Sequence, residues 1–405
     1  MNAMPPRPNR PVYLDNQATT RCDPRVLAAM LPWFTEAYGN PHSAEHAMGV
    51  AAEAAVEQAR AEVAALLGAE AREIVFTSGA TESNNIAIKG AVRHARAMGT
   101  TRRRVITVAT EHKCVLESVL ATAEDGFEPC ILPVRPDGLL DPAVLEAALA
   151  EPTLLVSVMA VNNETGVVQD IPAIAALAKR AGALVHTDAA QAAGKIPLDL
   201  TGWQVDLASL SGHKLYGPKG VGALFVRRRP RVRLSPLFSG GGQERGLRPG
   251  TLPAPLIVGL GEACRLAALE MHDEGARLAA LRATLLRLLD DAVPGLAVNG
   301  SMDARIPGNL NLTFPAATAR ALMAAAPELC VSTGSACSSA AIEPSYVLRA
   351  MGLTDEAAAR SLRIGIGRFT SAADIDYAAA ALAAAHAGAA ALSLSAHNSE
   401  TTVGP

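Results

Sequence analysis

Two residues in this chain stand where a reactive group is useful and a structural one is not. Lys214 lies in SLSGHKLYGPKG, just past a short apolar strand and between a histidine and an aromatic residue. A lysine amine held at a strand end can form a Schiff base with a carbonyl group. The other five lysines, Lys89, Lys113, Lys179, Lys195 and Lys219, fall in helix or turn patterns, where a solvated ammonium is expected. Cys337 lies in CVSTGSACSS, between Gly334, Ser335 and Ala336 on one side and Ser338 and Ser339 on the other. A structural cysteine packs among apolar neighbours as a small hydrophobe. The small, polar surroundings of Cys337 suit a thiol that moves and reacts. An unperturbed thiol has a pKa of about 8.5 and is mostly protonated at neutral pH, so it needs help to become a nucleophile.

Other segments place polar groups at strand ends. In LVHTDAAQAAG, Asp188 closes a buried-type strand and Gln191 follows three residues later. A carboxylate there faces the crevice where parallel α/β sheets bind ligands. By itself such an aspartate is more often a helix cap. With Lys214 it suggests a pyridoxal phosphate site, where a carboxylate keeps the pyridine nitrogen protonated. VFTSGATESNN reads as strand, Ser-Gly turn and a helix starting at Ala80 and Thr81. Free N–H groups and the helix dipole favour phosphate at such a start, although an ordinary connection has the same pattern. SGGGQERGLRPGT, Ser239 to Thr251, is long enough to be a functional loop. His112, in ATEHKCV, also sits at a strand end, where it can stack on a ring, move protons and activate a thiol. Arg363, in SLRIGIGRFT, has the side chain suited to clamping a carboxylate, though a surface ion pair would read the same way.

These residues need a scaffold. EIVFTSGATESNNIAIKGAV and VITVATEHKCVLESVL each read as strand, turn, helix. TLLVSVMAV, IPAIAALAKRAG, ALVHTD, DLASLSG and GALFVRR continue the alternation, which predicts a parallel sheet covered on both faces. Asp23-Pro24 and Asp141-Pro142 predict capped helix starts. Ser43 is expected to cap a helix running to Leu67, with Gly68 closing it. After about residue 270 a long Leu/Arg/Ala helix leads into NLNLTF, the cysteine segment, SYVLRAMG, SLRIGIG and a final Ala-rich helix, the pattern of a second, α+β unit. The tail SAHNSETTVGP is expected to be disordered.

The chain has 405 residues, half of them hydrophobic, which suits a large domain plus a smaller one. A net charge of −3 with 19% charged residues argues against a nucleic-acid or membrane partner. The cluster Arg227, Arg228, Arg229, Arg231 and Arg233 reads as solvation of a strand end. Six scattered cysteines without a CxxC pair make neither a disulfide framework nor a zinc site, and no metal is expected. The N-terminus has no apolar core of a secretory signal. Together these predict a reduced, cytoplasmic protein.

The motifs VYLDNQATT, TSGATESNN, TEHK, VNNETGVVQ, HTDAAQ, SGHKLYGPKG, GGGQERGLRPGT, STGSACSS, EPSYVLRAMGL and RIGIGRFT span Val12 to Thr370. In this order the chain resembles the cysteine desulfurases, a group of class V aminotransferases. The cysteine segment resembles the long-loop branch, that of the bacterial housekeeping and nitrogen-fixation enzymes. The resemblance implies the PLP-dependent transferase fold type I, an α/β fold. Its large domain, residues 23–271, would hold a mainly parallel seven-stranded sheet covered by helices. Residues 1–22 and 272–405 would form a smaller α+β domain carrying the cysteine loop, about 328–342.

It further implies that Lys214 holds pyridoxal 5'-phosphate as a Schiff base. Asp188 would pair with the ring nitrogen, His112 stack on the ring, and Asn163 and Gln191 contact the ring-oxygen side. Ala80, Thr81, Ser211 and His213 would hold the phosphate, with Thr251 arriving from the partner of a homodimer. Arg363, with Asn163, would bind the carboxylate of L-cysteine, and Cys337 would accept the sulfur. The products would be L-alanine and a persulfide, whose sulfur passes to an acceptor protein such as an iron–sulfur scaffold, with tRNA thiolation a further destination. Pro249 and Thr333 stand where such relatives usually carry serine, and the tail lacks the aromatics that help housekeeping relatives dock a scaffold. Three other readings stay open: a different class V aminotransferase, a selenocysteine lyase, and a cofactor-free sulfur carrier.

Overall fold

The computed structural model describes residues 10–334 and 344–400. Its centre is a seven-stranded sheet. The strand order is Ile74–Thr77, Gly222–Val226, Leu207–Ser211, Leu184–Asp188, Thr153–Ser157, Arg104–Val108 and Glu128–Leu132. Within it, Gly222–Val226 runs against its two neighbours and the rest run parallel. Thr153–Ser157 and Leu207–Ser211 are buried at every position, as strands covered on both faces must be. One apolar cluster joins Ile106, Val156, Ala208 and Phe225 to helix Ala47–Leu67. A second, with Val75, Ile86, Val105 and Leu207, packs helix Ala80–Ala97 on the opposite face.

A separate cluster holds Val12, Leu14, Leu310, Leu312, Phe314 and Ile364. It covers an antiparallel sheet ordered Ser361–Gly365, Asn309–Thr313, Ala297–Val298, with Val12–Tyr13 pairing in parallel with Leu329–Cys330 beside it. The 39-residue helix Ala254–Ala292 serves both units. Ile257, Leu260 and Cys264 belong to the large core, whereas Leu278, Leu285 and Leu289 belong to the small one. A domain boundary near residue 271 therefore falls inside a continuous helix, and the division at that point is a proposal. The cysteine segment lies largely outside the described residues.

Several local expectations are met. Asp23 accepts from Arg25 N–H and Asp141 from Ala143 N–H, each at 2.9 Å. Three need correction. The helix ending at Gly68 begins at Ala47, and its cap is His46, whose Nδ1 accepts from Gly49 N–H at 3.1 Å. Ser43 lies against Gly49 through its backbone, and its side chain makes no capping bond there. Arg227 is buried and does not solvate a strand end, because its guanidinium donates to the carbonyls of Val205, Leu200 and Thr201. The last helix runs from Ala372 to Glu400, past the point where disorder was expected, since its Ala-rich run has high helix propensity. No helix among the described residues is long and apolar enough to cross a membrane.

Candidate active site

The polar strand ends collect at one edge of the large sheet. Thr77 and Ser211 both pair with Gly222, so three strand ends lie in one row. Gly222 can only be glycine here. A Cβ would lie 2.3 Å from Leu210 O and 2.6 Å from Gly79 Cα. That close approach draws the Ser78-Gly79 turn onto Ser211, so a Cβ at Gly79 would lie 3.7 Å from Ser211 Oγ. Gly79, at φ 150°, leads directly into the 18-residue helix starting at Ala80. The first turn of that helix has N–H groups without intrahelical partners. Thr81 is exposed at this start, and His213 follows Ser211 with its Nδ1 3.1 Å from Thr19 Oγ1. Burial first, then the charges of Lys214, Lys219 and Lys195, push the His213 imidazole down to about 4. His213 is thus a neutral group beside a patch of lysine charge.

Lys214 Nζ donates to the carbonyls of Gln17 and Ala18 at 2.6 and 2.7 Å. The same Gln17 carbonyl accepts from Gln191 Nε2 at 2.8 Å, and Gln191 Oε1 accepts from Lys195 Nζ at 2.7 Å. Lys195 was expected to be a solvated ammonium. It is instead half-buried, and burial, then the charges of Lys214 and Arg363, lower it to about 7 against the opposing pull of Glu274. Asp188 is buried, with Oδ2 accepting from Asn84 Nδ2 at 2.7 Å and Oδ1 from Ala190 N–H at 2.9 Å. His112 caps the helix Lys113–Leu120, its Nδ1 accepting from Cys114 N–H at 3.2 Å. Burial lowers its pKa, Asp188 opposes this, and Lys214 and Lys113 reinforce it.

Arg363 is almost fully buried, and among the described residues two partners fix its guanidinium. Nη1 donates to Asn163 O at 3.0 Å and Nη2 to Asp15 Oδ1 at 2.7 Å. Arg363 Nε, Asn163 Oδ1 and Gln17 Oε1 are buried with no hydrogen-bond partner among the described residues. Beside them, Glu164 accepts from Ser345 Oγ, and a Cβ on Gly334 would lie 2.6 Å from Glu164 Oε2. Gly334 and Ser345 flank residues 335–343. Both flanks of the cysteine segment therefore meet the carboxylate next to the residue that holds Arg363. Cys337 itself lies outside the described residues.

Comparisons with known proteins decide the family. The aminotransferase class-V family model matches residues 12–378. A mitochondrial cysteine desulfurase of Arthroderma benhamiae is 55% identical over 369 residues, 91% of this chain and 73% of that protein. Cysteine desulfurase IscS of Rickettsia bellii is 51% identical over 368 residues, 91% of this chain and 89% of its own length. Among solved structures, a NifS-like protein matches with a TM-score of 0.84 and 37% identity, covering 93% of this chain and 98% of that one. A structure titled SspA in complex with cysteine matches with a TM-score of 0.78 and 38% identity, covering 89% and 99%.

The chain belongs to the class-V aminotransferases, among the cysteine desulfurases.

The residues present fit the pyridoxal phosphate on which this family depends. An amine past one strand, a carboxylate at the end of the next, a helix start facing a serine hydroxyl, and unpartnered buried polar atoms form a donor set for a phosphorylated aromatic aldehyde. The structure brings Lys214 and Gln191 onto one carbonyl, Arg363 onto Asn163, and Gly79 beside Ser211. Thr251 is different. It is exposed and makes no hydrogen bond to the other cradle residues within the described chain. Its loop is instead tied down by Arg248, paired with Glu82 at 2.9 Å, and by buried Glu244, which pairs with Arg60 at 2.8 Å. Sequence reasoning missed Asp15, Gln17, Asn84, Cys114, Glu164 and Lys195. The motifs VYLDNQATT and TSGATESNN contain three of them, but nothing in a motif says which side chain meets which.

Proposed function

We propose that this cysteine desulfurase converts L-cysteine to L-alanine and takes the released sulfur onto Cys337 as a persulfide. The net step balances: L-cysteine and the Cys337 thiol give L-alanine and the Cys337 persulfide. Lys214 would hold pyridoxal 5'-phosphate, and Asp188, buried and oriented by Asn84, would keep its ring nitrogen protonated. The cofactor, when bound, supplies an electron sink for the pair left as the substrate α-proton departs. His112 covers the ring, while Gln191 and Asn163 meet its oxygen side. Ala80, Thr81, Ser211 and His213 hold the phosphate, and Thr251 completes that cradle from a partner subunit in a homodimer.

Arg363 clamps the substrate carboxylate through a bidentate guanidinium. The Lys214 amine would take the substrate α-proton. Cys337 then attacks the substrate sulfur. The observation that carries this reading is the convergence of Gly334 and Ser345 on Glu164, next to the Asn163–Arg363 contact. Cys337 is three positions along the chain from Gly334, and three residues of chain span at most about 11 Å. The sulfur leaves for an acceptor protein, such as an iron–sulfur scaffold or a tRNA-thiolation carrier, in the cytoplasm.

The test is turnover of L-cysteine by the purified holoenzyme with a thiol reductant, comparing wild type with Cys337→Ala. Equal amounts of alanine and sulfide from wild type, and loss of both in the variant, are expected. Alanine at the wild-type rate from Cys337→Ala, or a keto acid in place of alanine, would overturn the proposal.

A further inference from the structure

A chain of hydrogen bonds leads from Asp188 to His112, and the backbone N–H of Cys114 decides the direction of its last link. Asn84 Nδ2 lies 2.7 Å from Asp188 Oδ2 and 3.2 Å from Cys114 Sγ. A carboxylate can only accept, so the Asn84 amide nitrogen faces it and gives one N–H to Asp188 and the other to the sulfur. Cys114 Sγ lies 3.0 Å from His112 Nδ1. Burial, with the Asp188 charge adding to it, pushes the Cys114 thiol up to about 12, so it keeps its proton and has an S–H to give. The backbone N–H of Cys114 points at the same nitrogen from 3.2 Å. A backbone N–H has no lone pair and can only donate. Two donors thus converge on His112 Nδ1.

We infer that Asn84 and Cys114 are positioning residues that hold His112 as the neutral imidazole with its proton on Nε2. This rests on the reading of His112 as a residue at the cofactor. The groups around it agree. A proton on Nδ1 would set one N–H against another, and the nearby Lys113 ammonium adds to that penalty, with Asp188 pulling the other way. Glu111 is buried beside this group, and burial and then Asp188 raise its carboxyl. The consequence is a change of role. An imidazole with N–H at Nε2 and a capped Nδ1 has no free lone pair with which to take a proton from a thiol. His112 acts as a hydrogen-bond donor at Nε2, in the way that a neutral histidine can polarise a substrate oxygen in other enzymes. The proton of the reacting thiol must go to another group.

The measurement is a long-range nitrogen–proton NMR correlation of the histidine rings in the holoenzyme, labelled with nitrogen-15 at histidine. The His112 signals are assigned by their loss in His112→Gln. Wild type should show Nε2 protonated and Nδ1 bare across pH 6 to 9. Cys114→Ser, which keeps a donor, should preserve that pattern, whereas Cys114→Ala should titrate at higher pH, because a bond to the neutral form has been lost. Asn84→Ala should move the same way. An Nδ1–H signal in wild type, or identical titrations in Cys114→Ser and Cys114→Ala, would overturn the inference. The cofactor absorbance band of His112→Gln is recorded in the same samples. An unchanged band would count against the placement of His112 at the cofactor, while the tautomer pattern would stand or fall on its own signals.

Discussion

Arg363 Nη2 donates to Asp15 Oδ1 at 2.7 Å across 348 positions of sequence, and the guanidinium is held on its other arm by Asn163 O. The pair joins the start of the chain to the strand Ser361–Gly365, where Asp15 also bridges to Gly365. It fixes the plane of the guanidinium before any substrate arrives, which lowers the ordering cost of binding a carboxylate. Lysine cannot reproduce that plane. Arg363→Lys is therefore expected to raise KM for L-cysteine by about 10- to 100-fold, from a charge-assisted bond worth roughly 1.5–3 kcal/mol, with kcat falling less. Steady-state kinetics with varied L-cysteine check this, and an unchanged KM would remove Arg363 from the substrate site.

Lys195 gives a pH prediction. Its folded pKa of about 7 lies well below the unfolded lysine value of about 10.4. Between these values the unfolded chain binds more protons, so stability rises with pH. Below about 7 the full cost of the charged, enclosed ammonium is present. Lys195→Met is expected to melt higher than wild type by its largest margin near pH 6, with the margin shrinking toward pH 9.5. Thermal melts of the two proteins across that range provide the check, and a margin that widens with pH would refute it.

The loop carrying Thr251 depends on Glu244. This buried carboxylate takes both arms of Arg60 at 2.8 Å and the N–H of Phe76 at 2.7 Å. Removing it leaves the buried Arg60 cation with the exposed Glu57, at 3.0 Å, as its counter-charge, and losing a buried partner costs up to about 3–5 kcal/mol. Glu244→Ala should therefore unfold at markedly lower denaturant concentration. Replacing both partners, as Arg60→Met with Glu244→Leu, should recover much of the loss. A single variant as stable as wild type would show that the pair contributes nothing.

Gly222→Ala tests the cradle. The added methyl has no room between Leu210 O and Gly79 Cα. The Ser78-Gly79 turn must move away from Ser211, at a cost of roughly 1–3 kcal/mol for overpacking. The variant should release pyridoxal phosphate faster than wild type on dilution, seen as loss of its absorbance from the protein fraction. Retention equal to wild type would mean that the approach of these two glycines does not shape the cradle.

Sequence periodicity and turn chemistry made the strands before Gly79, His112 and Lys214 legible, and the one ending at Asp188, because each element's pattern is local. Partners were not legible where they are remote. Asn84 meets Cys114 from 30 positions away and Asp188 from 104, and nothing in TEHKC marks the cysteine as a neighbour of that carboxylate. Lys195 looked like a surface lysine because its enclosure comes from Gln17 and Glu274, brought in by distant segments. Ser43 and His46 are both polar residues ahead of an apolar helix, and only the backbone path decides which reaches Gly49 N–H. Arg227 stands in a run of arginines, but it alone of that run folds back onto the carbonyls of Leu200, Thr201 and Val205.

The central claim is that Cys337 takes the sulfur of L-cysteine. One turnover of the holoenzyme without reductant, followed by peptide mass mapping of all six cysteines, tests it most directly. The account predicts one alanine per active site and one added sulfur, found on Cys337. Alanine formed while the added sulfur sits on Cys330 or Cys114, or on no cysteine at all, would contradict it.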